Sequence, residues 1–189
     1  ATPHIPHKMS MRASQTGSIV LEDARIPGSA LLPGTTGLGS PLSCLNNARF
    51  SVAFGVMGAA RFCLETAVSY SRERIQFGVP IGSKQLIQTQ IADIATQVVL
   101  GELLALHVAK LKDDGAVTPL QVSMAKRNNC AVSLEIARKV RGILGANGIG
   151  LDYHVIRHAL NLESTYTFEG THEIHALILG RGLTGLDAF

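Results

Sequence analysis

The chain has 189 residues, enough for one domain or one and a half and for a core that needs no covalent staples. With 46% hydrophobic and 16% charged residues it is too apolar for a disordered chain. The net charge of +3 comes from 17 basic and 14 acidic residues spread along the chain, so no nucleic acid partner is expected, whereas a phosphate-bearing small molecule is compatible.

Residues 1–41 read as loop-rich and strand-like. Ser18-Ile19-Val20-Leu21 is a β-prone run, and Leu31-Leu32-Pro33-Gly34 is an apolar pair ending in a turn. One or two strands do not make an independent sheet, so this segment is expected to be the end of a β-domain whose other strands lie elsewhere. From residue 42 onward the periodicity is helical. A first helix is expected from 42 to about 75. It is apolar on two strips: Phe50, Phe54, Met57, Leu64 and Val68, then Val52, Val56, Ala59, Cys63 and Tyr70. Such a helix must be covered on more than one side. A second is expected from about 85 to 111, on the stripe Ile87, Ile91, Ile94, Val98, Ala105 and Val108, stopped by Asp113-Asp114-Gly115. Thr118 caps a third, with Pro119 at its first position. Its stripe is Val122, Ala125, Val132, Ile136, Val140 and Ile143, with Asn129 interrupting it and Gly145 ending it. A fourth, shorter helix covers about 153–162, a break follows at 166–171, and the last holds Ile174, Leu177, Ile178 and Leu179. Short connections make neighbours of the long helices. The expected fold is therefore mainly α: an up-down helical bundle over 42–189, preceded by a short β-rich remnant at 1–41.

No uninterrupted run of about 18 apolar residues occurs, so no membrane-spanning helix is expected. The opening residues ATPHIPHK carry no apolar core, so no signal peptide is expected either. Cys44, Cys63 and Cys130 are odd in number and include no Cys-x-x-Cys pair. They read as free thiols in a reducing compartment, a bacterial cytoplasm or a mitochondrial matrix.

Four segments can carry chemistry. Glu169 lies between Phe168 and Gly170 in a break between helices. A carboxylate partly withdrawn from water there is a candidate proton acceptor. The plainer reading is a loop acid favoured by the dipole of the next helix. Gly145-Ala146-Asn147-Gly148-Ile149-Gly150 resembles a phosphate cradle but follows a helix and lacks the dinucleotide spacing. A helix-ending turn explains it, although its backbone N–H groups can serve a pyrophosphate brought by another subunit. Glu169-x-x-His172 has the spacing of a di-iron ligand pair, but Glu102, Glu135 and Glu163 are followed at that spacing by Ala105, Arg138 and Tyr166. No second pair exists, and His172 with His175 lacks a third ligand, so no metal is expected. Ser71-Arg72-Glu73-Arg74-Ile75-Gln76-Phe77-Gly78 puts cations and a phenyl ring at a helix end. They suit the C-terminal dipole, and equally a phosphate with a stacked purine.

Taken in order, R-x-x-F-G at 74–78, Gln85, LGANGIG at 144–150 and FEGTHEIHALILGR at 168–181 resemble the C-terminal half of the acyl-CoA dehydrogenases. CLNNARF at 44–50, KRNNC at 126–130, YHVIRHALNLE at 153–163 and the terminal GLTGLDAF are similar to the glutaryl-CoA type. The resemblance implies an FAD flavoenzyme, homotetrameric, that dehydrogenates an acyl-CoA thioester between its α and β carbons. It passes electrons to electron-transfer flavoprotein. Glu169 matches the catalytic base that takes the α-proton while the β-hydrogen leaves as hydride to the flavin. The thioester carbonyl would be held by the backbone N–H of that base and a flavin hydroxyl. Relatives that carry the base on the earlier long helix have it at a place matching Ala48, which cannot serve.

By the same resemblance Arg74, Phe77 and Gln85 match the group that grips the FAD diphosphate and adenine of a neighbouring subunit. Gly142, Ile143, Leu144, Gly145 and Ala146 match a loop that covers a flavin across the dimer, and Thr171 and Phe189 match further FAD contacts. Leu42, Ser43, Cys44, Leu45, Asn46, Asn47, Ala48 and Arg49 match the strip beside the CoA and acyl chain, and Gly170 adjoins the substrate. Ala146 stands where glycine is usual and Phe168 where tyrosine is usual. Two other functions fit the same residues: an acyl-CoA oxidase of this fold, and a helical oligomerisation module without chemistry. The family's N-terminal helical domain and the first half of its β-domain have no counterpart in these 189 residues. The isolated chain is therefore expected to bind FAD weakly and to show no appreciable turnover of acyl-CoA. Full turnover by the purified chain alone contradicts that expectation.

Overall fold

The structure is a computed structural model and is described for residues 1–188. The expected strand at 18–21 is not a regular strand. The backbone N–H groups of Ile5, Ser18 and Val20 donate to Thr16, Pro3 and Ala1 carbonyls at 2.9, 2.9 and 2.8 Å. This makes a loose ribbon with a single antiparallel bridge, His4 to Gly17. Ile19 and Leu21 on it are exposed. The ribbon is fastened to the helices by Met11 N–H donating to Asn161 Oδ1 at 2.7 Å and by a Ser10–Ser164 hydroxyl pair.

Helix α1, Gly39–Glu73, starts three residues before the expected 42. Pro41 is tolerated because the first turn of a helix has no acceptor for its missing N–H. The buried line of α1 is Ala53, Val56, Met57, Ala60, Cys63, Ala67 and Tyr70. It runs between the two expected strips and is rich in small residues, which lets α3 approach closely. A hairpin that periodicity does not announce follows: β1, Ile75–Gln76, pairs antiparallel with β2, Val79–Pro80. Helix α2, Gln85–Asp113, buries Ile94, Val98, Gly101, Ala105 and Val108. Helix α3, Pro119–Ile143, begins on a reciprocal cap: Thr118 accepts from Gln121 N–H, and the Gln121 side chain accepts from Thr118 N–H. A 3-10 turn at Gly145–Ile149 leads to α4, Val155–Thr167. Helix α4 runs five residues past the expected end, and Thr165 and Thr167 bond back to the Leu162 and Glu163 carbonyls. Helix α5, His172–Thr184, is capped by Thr171 Oγ1, which accepts from Ile174 N–H at 3.2 Å.

α3 is the central helix, packed on all four others, and its heaviest contact is with α1. α1 and α2 each hold an 18-residue window apolar enough on average to cross a membrane, with mean hydropathy 1.3 and 1.5. The uninterrupted-run criterion missed this because Arg61, Glu65, Asp93 and Glu102 punctuate the windows. Asn129, at the point where the apolar stripe breaks, is fully buried. Its Nδ2 donates to Ala53 O on α1 at 3.0 Å and to Gly101 O on α2 at 2.9 Å. One amide thus ties three helices. Gly101 stands beside it, where a Cβ would lie 2.6 Å from Met57 Sδ and would push that flexible side chain aside. Replacing Asn129 by Ala removes both inter-helix hydrogen bonds, and urea denaturation should show a loss of about 1–3 kcal/mol.

Candidate functional site

Glu169 and Gly170 form the break between α4 and α5, and both lie in the left-handed region, with φ of 60° and 95°. A non-glycine residue there costs about 1 kcal/mol or more. A Cβ at Gly170 would also be tight, 3.1 Å from His175 Nε2 and 3.3 Å from Arg49 Nη2. Two cations hold this kink. Arg49 on α1 donates through Nε to the Glu169 carbonyl at 2.7 Å, and its Nη1 reaches Asn46 Oδ1 at 3.2 Å. Lys126 on α3 donates through Nζ to the Gly170 carbonyl at 2.8 Å. Arg49 is buried, and Lys126 is 1% exposed.

The Glu169 side chain is half-buried, and its Oε2 is sealed from solvent without a hydrogen-bond partner. A buried carboxylate oxygen that meets no donor is an unmet acceptor, the state a proton-accepting group requires. Phe168, just before it, helps to line a crevice of about 220 Å³ between α1 and α4. Val52, Gly55, Ala59 and Leu162 are among its walls. On the other side of the kink His172 stacks on Tyr166, with ring centroids 4.6 Å apart. His175 is fully buried and neither ring nitrogen is hydrogen-bonded. Burial, with the Lys126 and Arg49 charges adding to it, pushes its pKa down to about 4. It is neutral at physiological pH. Burial also lowers the Lys126 ammonium below its ordinary range.

The expected site residues fall into two groups. Leu42, Ser43, Cys44, Leu45, Asn46, Asn47, Ala48 and Arg49 occupy the first turns of α1, where Arg49 and Asn46 join Glu169, Gly170 and Thr171. Leu42, Ser43, Cys44 and Asn47 are exposed. Arg74, Phe77 and Gln85 sit at the far end of α1, and all three are exposed. Gly142, Ile143, Leu144, Gly145 and Ala146 are at that end too: Tyr70 Oη donates to Leu144 O at 3.3 Å and accepts from Asn147 Nδ2 at 3.0 Å. Within this loop the Ile143 and Leu144 side chains enter the core, and Gly142, Gly145 and Ala146 face outward. From position 49 to position 74 α1 runs about 37 Å. The two groups of one chain therefore lie at opposite ends of that helix. Phe189 lies outside the described residues.

Phe77 is 92% exposed, at the tip of the hairpin, with φ of 53° followed by Gly78 at 77°. An aromatic ring held in a left-handed turn and bare to solvent is strained without a packing return. Among the described residues no group of three His, Cys, Asp or Glu side chains can hold a metal. Cys63 and Cys130 are buried free thiols and Cys44 an exposed one. Burial pushes the Cys63 thiol up to about 12, which makes it inert. Lys126 is the site residue that sequence reasoning missed, and His175 was weighed there only as a metal ligand. The signal for Lys126 was present: it follows Val122 by four and precedes Asn129 by three, on the inward face of α3.

A five-helix bundle with a left-handed Glu-Gly break between α4 and α5 has counterparts among known proteins. Residues 35–184 match the acyl-CoA dehydrogenase C-terminal domain, and the chain belongs to that family. It is 35% identical over 182 residues, 95% of its length, to a glutaryl-CoA dehydrogenase of Desulfococcus multivorans, and covers 46% of that protein. A crystal structure of glutaryl-CoA dehydrogenase from Mycobacterium smegmatis superposes with a TM-score of 0.98 at 53% identity, covering 100% of this chain and 49% of that one. Another from the same organism, in complex with FADH2, gives 0.97 at 46% identity, with 100% and 49% covered. The chain thus spans about half the length of the curated relatives it matches.

The neutral, buried His175 has a consequence for stability. An unfolded histidine binds a proton below its ordinary 6.5, while the folded one refuses it until about 4. Stability is therefore lost as pH falls through that window, by about 3 kcal/mol at most from this residue. Urea midpoints measured from pH 7 to pH 4 should fall less steeply for His175→Gln than for the parent. Equal slopes contradict the assignment.

Proposed function

We propose that this chain carries the catalytic base and part of the FAD-binding surface of an acyl-CoA dehydrogenase of the glutaryl-CoA type. The observation that carries the reading is the Glu169 carboxylate, with one oxygen enclosed and free of donors on a kink whose carbonyls are gripped by Arg49 and Lys126. In this role Glu169 accepts the α-proton of an acyl-CoA thioester, and the rigid kink keeps the carboxylate from rotating away. The apolar crevice beside Phe168 suits the start of an acyl chain. Residues 1–41 are then the end of the middle β-domain, and 42–189 the C-terminal helical domain.

The residues present fit FAD. Arg74 has no ion pair among the described residues, and Phe77 offers a bare ring beside it. A diphosphate and an adenine need those two groups. The outward backbone of Gly142, Gly145 and Ala146 suits the same partner. Thr171, next to the base, is placed for a cofactor at the other end. FAD supplies acceptance of the β-hydrogen with its electron pair. The length of α1 favours a cofactor shared between subunits, and the exposed Val99, Leu100, Leu103 and Leu106 of α2 suit burial in a homotetramer. Electron-transfer flavoprotein is the proposed acceptor, and a bacterial cytoplasm or mitochondrial matrix the proposed compartment.

Glu169→Gln tests the assignment in the FAD-loaded enzyme that contains this chain. The amide keeps the shape and loses the basicity, so FAD should still bind. Flavin reduction by acyl-CoA should slow by about 10²–10⁴-fold or more. Reduction at the parental rate places the base elsewhere.

A further inference from the structure

We propose that Lys126 is a positioning residue for the Glu169 base: its ammonium, by gripping the Gly170 carbonyl, fixes the kink that aims the carboxylate. The inference rests on the reading of Glu169 as the base. Lys126 stands on the core face of α3, between Val122 and Asn129, where an apolar side chain is expected. Withdrawing an ammonium from water is costly unless a partner compensates it. Among the described residues Lys126 forms no ion pair, and its hydrogen-bond partner is one main-chain oxygen, Gly170 O. The charge is therefore not spent on joining helices, which Asn129 does. It is spent on a two-residue break.

That break needs an external hold. Glu169 and Gly170 are both left-handed, and their carbonyls stand outside the helical ladders of α4 and α5. Arg49 takes the first carbonyl from α1, and Lys126 takes the second from α3. The two cations approach from different helices, so two consecutive peptide planes, Glu169–Gly170 and Gly170–Thr171, are each held by one of them. With Lys126 gone, Arg49 alone holds the break, so the plane between Gly170 and Thr171 can rotate and the hold on the Glu169 backbone slackens. Thr171 is the cap of α5, so the same rotation loosens the first turn of that helix. The His175 ring stands beside the kink, 3.1 Å from where a Cβ of residue 170 would lie.

The experiment compares Lys126→Met and Glu169→Gln with the parent in the FAD-loaded enzyme that contains this chain. K126M should lower kcat about 10²-fold, the cost of a misplacement near 1 Å, with KM within about threefold. Amide exchange at Ile174 and His175, whose N–H groups bond to Thr171, should quicken by about tenfold or more in K126M, with the α1–α3 core amides unchanged. Retention of kcat within about threefold, or unaltered exchange at those amides, overturns the proposal. Parental activity in E169Q would instead sink the reading of the base itself. An inactive E169Q beside a fully active K126M sinks only the positioning role. If K126M fails to fold, labelled wild-type protein decides. A slowly exchanging Lys126 ammonium coupled to the Gly170 carbonyl carbon supports the grip, and a freely exchanging, uncoupled one overturns it.

Discussion

Two buried cations, Arg49 from α1 and Lys126 from α3, meet two consecutive carbonyls of the same backbone turn. That arrangement requires the two helices to sit at a fixed spacing, and the core supplies it. Ala53, Ala60, Cys63 and Ala67 keep the α1 surface low where α3 crosses it. The Asn129 amide ties both to α2. Packing density, a bulk property of the bundle, is in this way converted into the position of one carboxylate. The left-handed φ values of Glu169 and Gly170 are strained locally and are retained because the surroundings over-determine them.

The second constraint is length. α1 is 35 residues long, and the chain puts its two sets of functional candidates at opposite ends of it. The Glu169 kink gathers at the first turns, whereas Arg74, Phe77 and the 142–146 loop gather at the last. A single continuous helix cannot bring these ends together, so the geometry favours two half-sites per chain. The exposed apolar residues of α2, the bare Phe77 ring and the uncovered ribbon at 1–38 are all surfaces that favour further protein.

Much of the architecture was legible because its signals are local. Thr118-Pro119 announced the start of α3, and the spacing from Ile94 to Val108 announced the buried face of α2. The break around Glu169 was legible from Phe168-Glu169-Gly170, although α4 persisted further than expected, because its threonines satisfy their own turn. The hairpin at 75–80 was not anticipated. Its turn uses Phe77-Gly78, and phenylalanine gives no warning of a positive φ. The run at 18–21 has strand composition but too few pairing partners here to become one. Lys126 was overlooked, and His175 weighed only as a metal ligand, because a cation and an imidazole in an apolar stripe acquire meaning only through their long-range surroundings. Residues 126 and 170 meet only after the whole bundle has closed.

The proposed function rests on one claim: that the Glu169 carboxylate faces the carbon beside a thioester carbonyl. A crystal structure of the FAD-loaded enzyme with a bound, non-reacting acyl-CoA analogue tests it directly. The account predicts a Glu169 carboxylate oxygen about 3–3.5 Å from the α-carbon, with the kink unchanged. An α-carbon beyond reach of Glu169, or facing a different carboxylate, contradicts it.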